Sequence, residues 1–198
     1  MATWVWAIIA AAAAVVIVAV IVLALRARRT ARLRDRFGPE YDRTVETAGG
    51  RRDAERDLAQ RERRRDELDI RPLAPTARNR YAEQWHMTQE RFVDRPQDAV
   101  GAADTLVTAA MRERGYPVEE AFEQRAADIS VDHPHVVDNY RAARQIATAA
   151  ATGDATTEDL RQAMVCYRAL FEELLVADDG TEDTPLARER VEERDRVR

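Results

Sequence analysis

From Thr3 to Leu25 the chain reads TWVWAIIAAAAAVVIVAVIVLAL, 23 residues without a single charged side chain. No other stretch limits so strongly what the chain can fold into. A bilayer core takes about 20 apolar residues as a helix, and in lipid one isolated segment satisfies its own backbone only by being helical. The run contains β-branched residues (Val15, Val16, Ile17, Val18) that weaken a helix in water. In a bilayer the need to pair every N–H and C=O outweighs that preference. Trp4 and Trp6 stand at its first end, where amphipathic rings suit the headgroup level. The sequence therefore predicts a transmembrane anchor over residues 1–25, with the lipid bilayer as its partner through Thr3 to Leu25.

The other end of the run is abruptly basic. Arg26, Arg28, Arg29, Arg32, Arg34 and Arg36 follow, opposed only by Asp35. The positive-inside rule then puts the N-terminus outside and the C-terminal domain in the cytoplasm of a single-pass cell-membrane protein. A cleaved signal peptide would carry its bases before the apolar run and small residues at a cut site after it. Here that order of charge is reversed. The six arginines are first a topology signal. As a lipid-facing cluster they also gain about 1 kcal/mol each beside anionic lipid.

Beyond the anchor the chain is strongly polar, and this explains why a chain of 45% hydrophobic residues has a mean hydropathy of −0.51. Phe37-Gly38-Pro39 breaks the helix, and Glu40–Thr47 forms a short one before the linker signal Gly49-Gly50. Residues 51–69 read RRDAERDLAQRERRRDELD. Their few apolar positions (Ala54, Leu58, Ala59, Leu68) make no coiled-coil seam, so the expectation is a solvated, charged linker helix. Pro72 and Pro75 then give a stiff connector. Residues 26–75 are thus read as a basic juxtamembrane segment plus charged helical linker.

The composition changes after Pro75. Eight of the twelve aromatic residues fall in 76–177, on helical stripes. These run through Tyr81, Trp85, Thr88 and Phe92, then Val100, Ala103, Leu106 and Ala110, then Val118, Phe122, Ala126 and Ile129. Val136, Tyr140, Ala143 and Ala147 make the fourth, and Leu160, Met164, Tyr167, Phe171 and Leu174 the fifth. The breaks fall at Asp94-Arg95-Pro96 and at Arg114-Gly115-Tyr116-Pro117, where Pro opens the third helix. Asp132-His133-Pro134 opens the fourth. Thr156 and Asp159, at capping-box spacing, open the fifth. The fold class expected is all-α: an N-terminal transmembrane helix, a charged linker helix, then a small antiparallel bundle of about five helices. Residues 178–198 carry no apolar stripe and read as a disordered charged tail.

The search for chemistry finds little. His133 and His135 with Asp138 are the densest group of ligand types. A metal site needs three or four convergent ligands, and the only other histidine is His86. Cys166 sits beside the strongest apolar stripe and reads as a structural thiol. Adjacent carboxylates such as Glu119-Glu120 point about 100° apart on a helix. No phosphate loop, dinucleotide fingerprint, nucleophile elbow or C-x-x-C occurs. Catalytic, cofactor-binding and metal residues are therefore assigned to none. All 31 basic residues are Arg, yet residues 51–71 carry eight against seven acids and residues 76–177 eleven against seventeen. That balance argues against nucleic acid as a partner.

Met111–Ile146 and Thr156–Leu175, with Leu33–Glu46 and Leu68–Leu73 upstream, resemble an uncharacterised group of short single-span actinobacterial proteins described as hypothetical, secreted or membrane proteins. The resemblance covers nearly all the chain after the anchor and implies no activity. The expected function is a membrane-anchored cytoplasmic protein-interaction or scaffold module without catalysis. Its partner-binding surface would be the turns carrying Tyr116, Pro117, Asp132, His133 and His135. Two alternatives stand beside it. One is a ligand-binding module or enzyme with a pocket between helices, and the other is a structural envelope protein with its body outside the membrane.

Overall fold

The computed structural model describes the backbone of residues 3–176 and the side chains from Ala12 onward. The expected tail at 178–198 lies outside the described residues. Within them the chain is all-α, with eight helices and no strand. These are α1 (Thr3–Phe37), α2 (Pro39–Thr47), α3 (Arg51–Glu67), α4 (Pro75–Asp94), α5 (Pro96–Arg114), α6 (Phe122–Asp132), α7 (Val137–Thr152) and α8 (Thr157–Leu175). The chain divides into two compact units. Among the described residues the first holds 3–67 and 127–135, and the second 68–126 and 136–176.

In the first unit the apolar run and the basic segment are one unbroken helix. α1 ends where Gly38, at φ +47°, and Pro39 stop it. Its last turns present Leu33 and Phe37 to a small core with Tyr41 of α2, Leu58 of α3 and Val131 of α6. The spacing of four between Leu33 and Phe37 puts both on one helix face, while the arginines between them point elsewhere.

The expectation of a solvated linker helix is corrected. α3 buries Ala54, Leu58 and Ala59, and three of its arginines reach polar groups 21 or 64–69 residues away. Arg61 Nη1 donates to Glu40 Oε1 at 2.8 Å and to Ser130 Oγ at 3.3 Å, and its Nη2 donates to Asp57 at 2.6 Å. Arg64 Nε donates to Asp128 at 2.8 Å and Arg65 Nε to Asp132 at 2.6 Å. Glu40 and Asp128 are each 1% exposed. A row of charges four apart on a helix looks the same whether water or a second row of opposite charge covers it.

In the second unit α5 is the central element, packing against α4, α7 and α8, and α7 packs on α8. The connectors are short, a single residue (Arg95) between α4 and α5 and residues 153–156 between α7 and α8, so these pairs form antiparallel hairpins. Trp85 stacks on Phe171 with centroids 4.7 Å apart, and Tyr140 bridges Phe122 (4.9 Å) and Tyr167 (6.5 Å). The capping box at α8 is present, with Thr156 accepting from the Asp159 amide and the Asp159 carboxylate accepting from the Thr156 amide. Two helix starts differ from expectation. α6 begins at Phe122 rather than at Pro117, and Asp132 is the last residue of α6, with α7 starting at Val137. Pro117 fixes φ without requiring a helix, and His133-Pro134 serve as the bend that reverses the chain.

Burial raises the native-state pKa of Tyr140, and it does the same for Tyr167, where the Asp104 carboxylate adds to the effect by accepting its hydroxyl at 2.8 Å. A free phenol titrates near 10. Because the native value lies higher, the stability these two tyrosines contribute is complete below about pH 10 and is lost as pH rises toward their native values. All five tyrosines are buried, so an absorbance titration at 295 nm should show little ionisation near pH 10. A steep phase that includes Tyr140 and Tyr167 should follow, coinciding with loss of the helical circular dichroism. Smooth ionisation of all five tyrosines with helicity intact would contradict their burial.

Candidate functional site

Five of the six arginines that follow the apolar run divide into two sets, and Arg28, exposed on α1, belongs to neither. Arg34 pairs with Asp42 at 3.0 Å, and Arg32 and Arg36 converge on Glu62 of α3 at 3.5 and 3.4 Å. These three brace α1 against α2 and α3. Arg26 and Arg29 lie one or two turns nearer the apolar run and line a groove of about 490 Å3 between α1 and α3. Its walls are Arg26, Arg29 and Thr30 on one side and Arg51, Arg52, Glu55 and Arg56 on the other. The spacing is helical on both walls (26, 29, 30 and 52, 55, 56), so each wall is one helix face.

Five arginines and one carboxylate line it, an excess of three positive charges once the Arg56–Asp53 pair is counted. The carboxylate is already engaged, since Glu55 Oε1 accepts from Thr30 Oγ1 at 2.6 Å and from the Tyr41 hydroxyl at 3.2 Å. Arg56 pairs with Asp53 at 2.7 Å on the exposed surface. Among the described residues Arg26, Arg29, Arg51 and Arg52 make no ion pair within 4 Å. The sequence located the α1 half of this groove. The α3 half was hidden because Arg51, Arg52 and Arg56 lie in a segment whose charges nearly cancel in sequence.

The residues expected to form a partner-binding surface are not all surface groups. Tyr116 is 3% exposed and His133 8% exposed, so both belong to packed interior. Pro117 is half-buried beside Tyr116 in the second unit. Asp132, engaged by Arg65, and His135 lie in the first unit. His135 is exposed and packs beside Gly38, where an added Cβ would stand 3.2 Å from its Cε1. His86 faces solvent on α4 opposite Glu90, and Cys166 is buried on α8 with Gln162 Nε2 3.5 Å from its sulfur. Among the described residues no three His, Cys, Asp or Glu side chains converge as a metal site. A shallow depression of about 180 Å3 on α4 and α8, lined by Phe92, Met164 and Val165 with Arg161 and Arg168 at its rim, is below the usual 300–1,000 Å3 of small-molecule sites.

These features define an all-α protein of two helical units, the first carrying a guanidinium-lined groove beside a long apolar helix. No family model matches the chain, and no curated protein or solved structure does either. Among the described residues no helix is long and apolar enough to cross a membrane; the first nine residues of the uncharged run, 3–11, lie outside the described side chains.

Proposed function

We propose that the protein is a single-pass membrane protein whose helical body acts in the cytoplasm as a protein-interaction or scaffold module without catalysis. The observation that carries this reading is the continuity of α1. Nine Val, Ile and Leu side chains from Val15 to Leu25 are between 38% and 69% exposed on all faces of a helix that enters the first unit through Leu33 and Phe37. A helix apolar all round is stable in a protein core or in lipid, and contiguous exposed apolar surface of this extent marks a membrane or partner contact. The uncharged run as a whole, at ~1.5 Å per residue, reaches about 34 Å as a helix, against the ~30 Å of a bilayer core. The likeness to single-span actinobacterial proteins supports the same reading, and the arginines that end the run favour a cytoplasmic body.

On this reading the anchor and the first unit are joined by helix, so the basic groove is held at a set depth below the lipid. The test is membrane extraction of the full chain in cells. It should sediment with membranes, resist alkaline carbonate and be released by detergent. Release by carbonate alone would overturn the anchor. His86→Cys gives an exposed thiol in the second unit, while native Cys166 is buried. A membrane-impermeant maleimide should leave that thiol unlabelled in intact cells and label it after lysis. Labelling of intact cells would place the body outside, as a structural envelope protein requires.

A further inference from the structure

We infer that the groove between α1 and α3 is a binding site for an anionic phosphate group, held by Arg26, Arg29, Arg51 and Arg52. Three independent features meet there. Four guanidiniums without an ion-pair partner among the described residues converge from two helices. All four are exposed to solvent, and guanidinium forks match phosphate oxygens two at a time.

The second feature is the start of α3. Arg51 and Arg52 are its first two residues, so the positive end of the helix dipole and its unsatisfied N–H groups lie at the same mouth. Gly49 and Gly50 precede it, and an added Cβ on either would meet nothing within 4 Å, so the backbone there is open to a ligand. The third is the fate of Glu55. This one carboxylate of the lining has its Oε1 engaged by Thr30 and Tyr41.

A groove of about 490 Å3 has room for a glycerophosphate headgroup. Arg26 directly follows the last residue of the apolar run. If that run lies in a bilayer, as proposed above, the source of the phosphate is an anionic phospholipid. A small soluble phosphate has the same chemistry and would reach the groove from the aqueous side. The neighbouring Arg32, Arg34 and Arg36 are engaged by Glu62 and Asp42 and form no part of the site. This separates a built site from the general attraction of basic residues to a membrane.

The full chain in a nonionic detergent is titrated calorimetrically with three probes: inorganic phosphate, dihexanoylphosphatidylglycerol and dihexanoylphosphatidylcholine. The expected result is saturable, salt-sensitive binding of phosphatidylglycerol, with phosphatidylcholine at least tenfold weaker. Saturable binding of inorganic phosphate as well would assign the soluble source. The Arg29→Gln/Arg52→Gln pair should weaken binding more than tenfold. Arg161→Gln/Arg168→Gln, an equal change of charge in the second unit, should leave it within twofold. Should the first pair fail to fold, Arg29→Lys/Arg52→Lys keeps the charge and removes the fork, and a threefold or greater loss is expected.

Absence of saturable binding by either anionic probe, equal losses from the two Gln pairs, or native affinity in the Lys pair would each overturn the site. The probes are soluble and the protein is in detergent. Failure here therefore leaves the carbonate-extraction result standing, and failure of the anchor leaves this titration interpretable.

Discussion

Replacing Arg61 with methionine should destabilise the first unit by about 3–5 kcal/mol, the usual cost of removing one partner from a buried ion pair. Most of that loss comes from what is left behind. The Glu40 side chain is 1% exposed and Arg61 is a 2.8 Å countercharge to it, so the buried carboxylate would lose that cation. The same guanidinium spans α2, α3 and α6 through Glu40, Asp57 and Ser130, and methionine keeps only its apolar stem. The comparison is Arg161→Met, whose partner Glu158 is 71% exposed; such surface pairs contribute about 0–1 kcal/mol. The Glu40→Gln/Arg61→Met double variant should recover part of the loss, because it also removes the buried negative charge. Thermal unfolding of the full chain in detergent, followed by circular dichroism, measures all three. Equal shifts for Arg61→Met and Arg161→Met would show that the buried network contributes nothing beyond surface pairing.

Gly115→Ala should be the most damaging conservative change in the second unit, at about 2–5 kcal/mol. Gly115 closes α5 at φ +102°, with its amide and that of Tyr116 bonded back to Arg112 and Met111 in a Schellman motif. A side chain in that left-handed conformation costs roughly 1–2 kcal/mol. An added Cβ would also fall on the backbone carbonyl of Asp69, which cannot swing aside as a flexible side chain can. The connector is pinned there, since the Arg71 amide donates to the Arg114 carbonyl at 2.8 Å. Forced displacement of well-packed structure adds about 1–3 kcal/mol. Gly153 closes α7 with the same motif at φ +84° and has nothing within 4 Å of its would-be Cβ. Gly153→Ala should therefore show the conformational cost alone. A Gly115→Ala loss no larger than that of Gly153→Ala would mean the connector yields freely.

The contrast between these two glycines marks how far a sequence can be read by local rules. Both read as helix ends, because a glycine after a periodic stripe is a local signal. Only the fold reveals that one of them has a foreign backbone against it. The stripes through Trp85, Leu106, Tyr140 and Tyr167 fix helices because a 3.6-residue period has one structural meaning. The box at Thr156 and Asp159 acts within four residues and was legible for the same reason. α3 was misread because its burial depends on acids more than 60 positions downstream, and its own apolar residues are too few to announce a core. Leu33 and Phe37 were concealed by the arginines around them. The groove combined both difficulties, with one wall visible as a basic cluster and the other lost in an electrically balanced segment.

The first unit is closed by a strip of chain, residues 127–135, made long after the rest of it. Arg61, Arg64 and Arg65 find partners 64 to 69 positions later. At a synthesis rate of roughly 5–20 residues per second, that delay is about 3–14 s. For that interval α1 and α2 can already dock on Leu58, but Val131 is missing from that core and Arg64 and Arg65 are without Asp128 and Asp132. The nascent chain thus passes through a stage with a basic, half-built platform and no acidic strip upon it. Any fragment that stops before residue 127 is held at that stage permanently.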